Sequence, residues 1–222
     1  MSQILAITGA TGFVGGATIA QALRSGHKVR ALTRQAQPPR EGVTWVEGTL
    51  ESPDALALLV QGADAVLHIA GAVNVPTRAA FAAANIAGTQ AIVDCAIAAK
   101  IPRFVHVSSL AAREPGLSHY GWSKAGAEDV VQRAALDWTI IRPPGVYGPG
   151  DHDMLELFRM AKRGFVLLPP SGRGSWIFVE DLARLLVVAA TAQPGLGAQI
   201  YEPDDGTPSG LSHVAMGRMI AQ

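Results

Sequence analysis

An α/β fold built on a doubly wound parallel sheet is what the residue pattern predicts, with a small C-terminal lobe whose completeness the pattern leaves open. Three observations carry the prediction. Short apolar runs alternate with stretches of helical spacing, the signature of a parallel sheet with helices on both faces. The first apolar run breaks straight into a glycine-rich turn that opens a helix. The chain has 222 residues, 49% of them apolar, which is enough for one substantial core and little more.

Taken in order, Ile4-Leu5-Ala6-Ile7 reads as a strand that breaks at Thr8. Gly9-Ala10-Thr11-Gly12-Phe13-Val14-Gly15-Gly16 follows, and Ile19 and Leu23 set the spacing of a helix over 13–25. Residues 28–33 and 43–47 read as strands and 53–60 as a helix. The run 64–70 is almost continuously apolar, as a strand buried on both faces requires. Strands at 103–107 and 138–141 alternate with helices at 77–99, 120–135, 153–163 and 181–192, with Asp181 helping to start the last. Crossovers between the strands are expected to be right-handed. There is no internal repeat and no low-complexity segment.

Beyond residue 150 the chemistry changes. Pro169-Pro170-Ser171-Gly172-Arg173-Gly174-Ser175 reads as loop, and Pro194-Gly195-Leu196-Gly197 as a turn. Residues 211–222 read as a helix without a capping signal, so the natural chain is expected to continue.

Charge excludes several classes of partner. Eighteen basic and 18 acidic residues leave a formal net charge of zero. No basic excess serves nucleic acid, and no uncharged apolar stretch reaches the length of a membrane span. The single cysteine, Cys95, excludes an intrachain disulfide and sits in an apolar helical pattern, as a core residue does. With no signal peptide ahead of the first strand, a cytoplasmic location is expected. The expected partners are a small molecule and a second copy of the chain, with no nucleic acid and no membrane.

The glycine turn carries the first chemistry. A strand, a tight turn and a helix N-terminus in succession expose backbone N–H groups and the positive end of a helix dipole, which suit a pyrophosphate. Gly9 permits the turn, Gly12 lets the backbone approach phosphates, and Gly15 lets the helix sit close to the strand. The spacing is G-x-x-G-x-x-G, and an ordinary glycine-rich turn is the alternative reading.

Tyr120 and Lys124 lie four residues apart on a helix and share a face. An ammonium beside a phenol favours the phenolate and is expected to move the tyrosine toward neutrality. A tyrosine so tuned exchanges a proton with an alcohol or carbonyl. A surface Tyr–Lys pair is the competing reading. Ser108 and Ser109 end the strand at 103–107, where ligands of open α/β sheets bind. Both hydroxyls also suit a simple strand end or turn cap. The six histidines, at 27, 68, 106, 119, 152 and 213, show no ligand spacing, and no metal site is expected. His68 and His106 fall inside strand patterns as core residues do. Asp151, His152 and Asp153 stand where a helix begins and suit its cap and dipole.

Together, Thr8-Gly9-Ala10-Thr11-Gly12-Phe13-Val14-Gly15, the Ser-Ser strand end, Tyr120-x-x-x-Lys124 and Arg142-Pro143-Pro144-Gly145-Val146-Tyr147-Gly148-Pro149-Gly150 resemble the extended branch of the short-chain dehydrogenases/reductases. That branch includes nucleotide-sugar epimerases and dehydratases, 3β-hydroxysteroid dehydrogenases and dihydroflavonol reductases. Further matches are Asp64-Ala65-Val66-Leu67-His68-Ile69-Ala70, Asn85-Ile86-Ala87-Gly88-Thr89 and Phe178-Val179-Glu180-Asp181-Leu182. The resemblance implies a Rossmann dinucleotide-binding core over 1–150, rejoined at about 176–202. Residues 151–175 and 203–222 would then form part of a substrate lobe.

The resemblance also implies residue roles. Tyr120 matches the catalytic acid/base, and Lys124 the lysine that binds the nicotinamide ribose and lowers the tyrosine pKa. Ser109, ahead of Ser108, matches the substrate-orienting hydroxyl. Gly9, Thr11, Gly12, Phe13 and Val14 fall in the cofactor turn, and Leu50 in the adenine-side segment. Ala70-Gly71-Ala72 matches a loop along the cofactor, and Pro143 and Val146 the backbone at the nicotinamide carboxamide. Asn85 either holds the active-site helix or is a satisfied buried amide. Dimerisation through helices 77–99 and 120–135 is implied as well.

NAD-preferring members place an acid at the end of the second strand. Here that strand ends Leu32-Thr33-Arg34, and an arginine suits a 2′-phosphate, so NADP is the expected cofactor and NAD the alternative. Two positions depart from the family pattern. Gly48-Thr49-Leu50 lacks the acid often found near the adenine. Gly145 stands where nucleotide-sugar epimerases often carry an asparagine that contacts the sugar-nucleotide diphosphate.

The expected activity is hydride transfer between a nicotinamide and a secondary alcohol or ketone, with Tyr120 moving the proton. The alternatives are a nucleotide-sugar epimerase or dehydratase with tightly bound NAD, and a non-catalytic NADP-binding sensor or scaffold.

Overall fold

Seven strands form the main sheet: β1 (Ile4–Thr8), β2 (Lys28–Thr33), β3 (Val43–Glu47), β4 (Ala65–His68), β5 (Phe104–Val107), β6 (Trp138–Ile141) and β10 (Gln199–Tyr201). The computed structural model describes residues 1–151, 155, 159–165, 172–192 and 196–220. The strand order is β10-β6-β5-β4-β1-β2-β3, and every neighbouring pair is parallel. The order reverses between β1 and β4, where Thr8 lies level with His68. A crevice opens at such a reversal beyond the carboxyl ends of the strands.

Alternation along the strands builds two cores. Leu5 and Ile7 of β1 face one way, packing with Leu67, Val105, Leu182 and Leu186. Ala6 faces the other way, with Val66, Phe104, Ile140, Leu59 and Ile92. The first face is covered by α1 (Phe13–Arg24) and α5 (Val179–Thr191). The second is covered by α2 (Pro53–Val60), α3 (Arg78–Ala98) and α4 (His119–Gln132).

Local chemistry explains the boundaries. Pro53 opens α2, where its missing N–H has no helical partner to lose. The Thr77 and Ser118 hydroxyls cap α3 and α4 by accepting from Ala80 N at 3.1 Å and Gly121 N at 2.9 Å. Caps of this kind contribute about 1 kcal/mol each. α3 is long and apolar enough, by length and composition, to cross a membrane. Here Phe81, Ile92, Val93 and Ala96 bury one of its sides. Between Ala82 and Ala87 it winds as a π-helix.

The structure differs from the sequence expectations at several points. β4 stops at His68 rather than residue 70, because Ala70 N turns out of the sheet to the Thr8 hydroxyl. β10 was not anticipated. It is a three-residue edge strand with a single core-packing residue, Ile200. α5 begins at Val179, ahead of Asp181, with both Glu180 and Asp181 in its first turn. β8 (Arg173–Gly174), inside the expected loop, pairs antiparallel with β11 (Leu211–Ser212). The expected C-terminal helix therefore starts later, as α6 (His213–Ile220). β7 (Gly145–Tyr147) pairs parallel with β9 (Trp176–Phe178). Of the helix expected at 153–163, residues 155 and 159–162 are helical and most of the rest lies outside the described residues. So do His152, Asp153, Pro169 to Ser171, and Pro194 with Gly195.

Candidate active site

The turn after β1 is shaped by two glycines. Gly9 has φ +69°, and a Cβ there would meet Ala70 N at 2.6 Å. A Cβ on Gly15 would lie 2.0 Å from Gly9 O, so α1 rests directly on the turn. Gly12 is the N-cap of α1, with no side-chain cap and no acid in the first turn. The dipole end of a 12-residue helix and its unpaired amides are thus left for an anion. Thr11, Gly12 and Phe13 line one side of a cleft of about 530 Å³. These features fit a dinucleotide pyrophosphate.

Opposite the turn, the 70–72 loop is pinned by Asn85, which the π-wound stretch of α3 carries. Asn85 Oδ1 accepts from Ala72 N at 2.7 Å, and its Nδ2 donates to Ala72 O at 3.0 Å and to Ser123 Oγ at 2.8 Å. Ser123 Oγ in turn donates to Tyr120 O at 2.8 Å. Asn85 is therefore both of the things expected of it, a satisfied buried amide and a clamp between the loop and α4.

Ser109, Tyr120 and Lys124 converge beside this loop. Ser109 caps a short turn, accepting from Ala111 N at 3.2 Å, and its hydroxyl acts on the Tyr120 phenol, favouring the phenolate. Leu110 N donates to Pro143 O at 3.0 Å, which ties the Ser109 turn to the end of β6. Lys124 is 4% exposed, and its ammonium donates to Val107 O at 2.8 Å. A Cβ on Gly71 would stand 3.6 Å from Lys124 Nζ, so the loop passes directly over the lysine.

The electrostatics correct one expectation. The Tyr120 phenol is pushed up from its ordinary value by burial, with the Ser109 hydrogen bond pulling the other way, and Lys124 does not lower it. Burial instead draws Lys124 itself down to about 8, partly opposed by Glu128. The reason is geometric: the ammonium is spent on the Val107 carbonyl rather than on the phenol.

The other expected residues take these places. Phe13 and Val14 begin α1, half-buried. Arg34 stands exposed just beyond β2 with no protein partner among the described residues. Leu50 packs against Gly88, where an added Cβ would meet Leu50 Cδ1 at 2.7 Å. Pro143 is buried, and Val146 sits in β7 level with Ile177. Gly145 has a steric reason: a Cβ there would lie 2.6 Å from the Trp176 ring. Among the described residues no cluster of His, Cys, Asp or Glu could hold a metal ion.

A charged network went unread in the sequence. Glu128, 2% exposed, accepts from the Ser108 hydroxyl and takes a bidentate pair from Arg142 at 2.8 and 2.6 Å. Arg142 also reaches Glu202 at 3.1 Å. The available signal was spacing, since Glu128 follows Lys124 by one helical turn.

A family model described as NAD(P)H-binding matches residues 9–166. The chain belongs to the extended short-chain dehydrogenase/reductase family. A relative within reach of this extended short-chain dehydrogenase/reductase is the ceramide reductase of Caulobacter vibrioides. It is 42% identical over 201 residues, covering 87% of this chain and 62% of that protein. A putative dihydroflavonol 4-reductase of Synechocystis is 32% identical over 177 residues, 68% of this chain and 51% of that one. A UDP-glucose 4-epimerase of Vibrio cholerae is 25% identical over 238 residues, 93% and 72%. The chain spans 62% and 59% of the length of the first two relatives it matches. Among solved structures, MoeE5 with UDP-glucuronic acid and NAD shares the fold. Its TM-score is 0.86 at 24% identity, covering 99% of this chain and 81% of that one.

Proposed function

We propose that this chain is the dinucleotide-binding and proton-transferring part of an NADP-dependent reductase that converts a lipid ketone to a secondary alcohol. The observation that carries the reading is the convergence of Ser109, Tyr120 and Lys124 beside the 70–72 loop. A bound reduced nicotinamide supplies the hydride to the carbonyl carbon. Ser109 orients the carbonyl oxygen by donating to it. The Tyr120 O–H gives that oxygen its proton as the C=O π bond breaks, and solvent then restores the phenol. Lys124 holds the ribose.

Arg34, exposed and without a protein partner among the described residues, supports NADP over NAD. A lipid substrate is supported by apolar surface at the rim. Val73, one residue past the loop, is 67% exposed, and Leu117, three before Tyr120, is 83% exposed. Trp176 over Gly145 argues against a sugar-nucleotide diphosphate there, and the 42% identical relative is a ceramide reductase. We also infer a homodimer through α3 and α4, with sedimentation equilibrium as its test.

The deciding experiment follows NADPH absorbance with long-chain lipid ketones, short ketones and nucleotide sugars. Turnover of the lipid ketones is expected. Tyr120→Phe is expected to lower kcat by about 100-fold or more while nucleotide binding survives. Wild-type activity in that variant, or consumption of a nucleotide sugar on retained NAD, overturns the reading.

A further inference from the structure

His68 is completely buried at the end of β4, between β1 and α3. Its two nitrogens meet two threonine hydroxyls: Nδ1 lies 2.7 Å from Thr8 Oγ1, and Nε2 lies 2.9 Å from Thr89 Oγ1. The direction of each bond follows from counting protons. Thr89 spends its one hydroxyl proton on Asn85 O, at 2.6 Å. It can therefore only accept from His68, which places the ring proton on Nε2. Nδ1 then accepts the Thr8 hydroxyl proton, and Thr8 Oγ1 is free to accept from Ala70 N, at 3.2 Å. Every donor in the series has an acceptor, and no hydroxyl is used twice as a donor.

The series closes on itself. It starts at Ala70, crosses the sheet through Thr8, His68 and Thr89, and reaches the Asn85 backbone. The Asn85 side chain returns to Ala72. Both ends of the 70–72 loop are thus held by one circuit whose middle member is a neutral imidazole. Asn85 also joins the circuit to α4 through Ser123, just below Tyr120. Burial and the Lys124 charge draw His68 down to about 3, so the ring stays neutral at any working pH, while the Thr89 oxygen selects its tautomer. No plain hydroxyl or amide in β4 would span the gap with one donor and one acceptor on opposite edges of a rigid ring.

We propose that His68 is a positioning residue that fixes the dinucleotide loop, through Thr8 and Thr89, relative to Tyr120. It touches neither the dinucleotide nor the substrate. This rests on the reading of the 70–72 loop as part of a dinucleotide site.

The test measures dinucleotide Kd by fluorescence at a temperature where every variant is folded, together with nitrogen NMR of His68. The expected spectrum is a neutral Nε2–H tautomer that does not titrate between pH 5 and 9. Thr89→Val is expected to raise the Kd for NADPH about tenfold, and Thr89→Ser to return it to near the wild-type value. A residue of purely structural use would lower Tm without moving Kd in the folded protein. Should Thr89→Val fail to fold, Thr8→Val and Thr8→Ser give the same comparison from the other end. An unchanged Kd in a folded valine variant, or an Nδ1–H tautomer, overturns the proposal alone. A wild-type protein that binds neither NADPH nor NADH overturns the reading of the site, and this proposal with it.

Discussion

Lys124 stands one helical turn past Tyr120, yet its ammonium donates to Val107 O at 2.8 Å and leaves the phenol to Ser109. The free protein thus holds a phenol raised by burial, not one tuned by its lysine. Tyrosine absorbance titration of the free protein is expected to place Tyr120 above the ordinary value near 10. Lys124→Met is expected to leave that titration in place, whereas Ser109→Ala raises it further. A Tyr120 titration that moves up in Lys124→Met would show that the lysine already acts on it.

The buried lysine also leaves a mark on stability. Its folded value of about 8 lies below the 10.5 of the exposed group, a difference worth on the order of 3 kcal/mol. Between those values the unfolded chain binds the extra proton, so this contribution to stability rises with pH from about 8 to 10.5. Urea unfolding across that window is expected to show the rise in wild type relative to Lys124→Met. At pH 7 the variant is expected to be at least as stable as wild type, though inactive.

Two buried histidines act in the acid range. Burial holds His68 and His106 neutral when folded, with His68 at about 3. The unfolded chain takes up their protons below about pH 6.5, so stability falls as pH falls, by about 1.4 kcal/mol per unit for each. Neither ring nitrogen of His106 has a partner among the described residues. His106→Leu is therefore expected to gain about 1 kcal/mol at pH 7 and more at pH 5. Urea midpoints at the two pH values check this, and an equal loss at both would refute it.

Arg34 bears on the choice of dinucleotide. Arg34→Ala is expected to lower the ratio of kcat/KM for NADPH over NADH about tenfold or more, through loss of a charge-assisted bidentate contact. A wild type that prefers NADH, with a ratio the substitution leaves alone, would exclude the assignment.

Gly145 and Trp176 form a steric pair. Gly145→Asn forces its Cβ against an indole 2.6 Å away, and overpacking of this kind costs about 1–3 kcal/mol. Thermal unfolding is expected to show that loss, with Trp176→Ala recovering part of it in the double variant. Additive losses would mean that the two residues do not meet.

Much of this was legible in the chain. The bounds of β2, β3 and α2 fall where apolar runs meet turn residues, and the glycine turn announces itself by spacing. That Tyr120 and Lys124 share a helix face and that Ser108 and Ser109 close a strand could be read from helical repeats and strand ends, whereas the choice of Ser109 and the roles of all three came from the family resemblance. β10 was not legible, because an edge strand of three residues is made by its neighbour: Arg142 N donates to Tyr201 O at 2.8 Å. Nor was the partner of Lys124, since a backbone carbonyl carries no mark in sequence. His68 read as an ordinary core residue because its use depends on two hydroxyls brought from β1 and α3.

The π-wound stretch from Ala82 to Ala87 has a last consequence. Such a stretch is a regular helix carrying one residue more than its turn can hold. Removing one alanine ahead of Asn85 would let α3 wind evenly and would turn Asn85 by about 100° about the axis, away from Ala72. The clamp on the loop is thus written as a count of residues, and a single-codon deletion that leaves composition and hydropathy almost untouched would erase it.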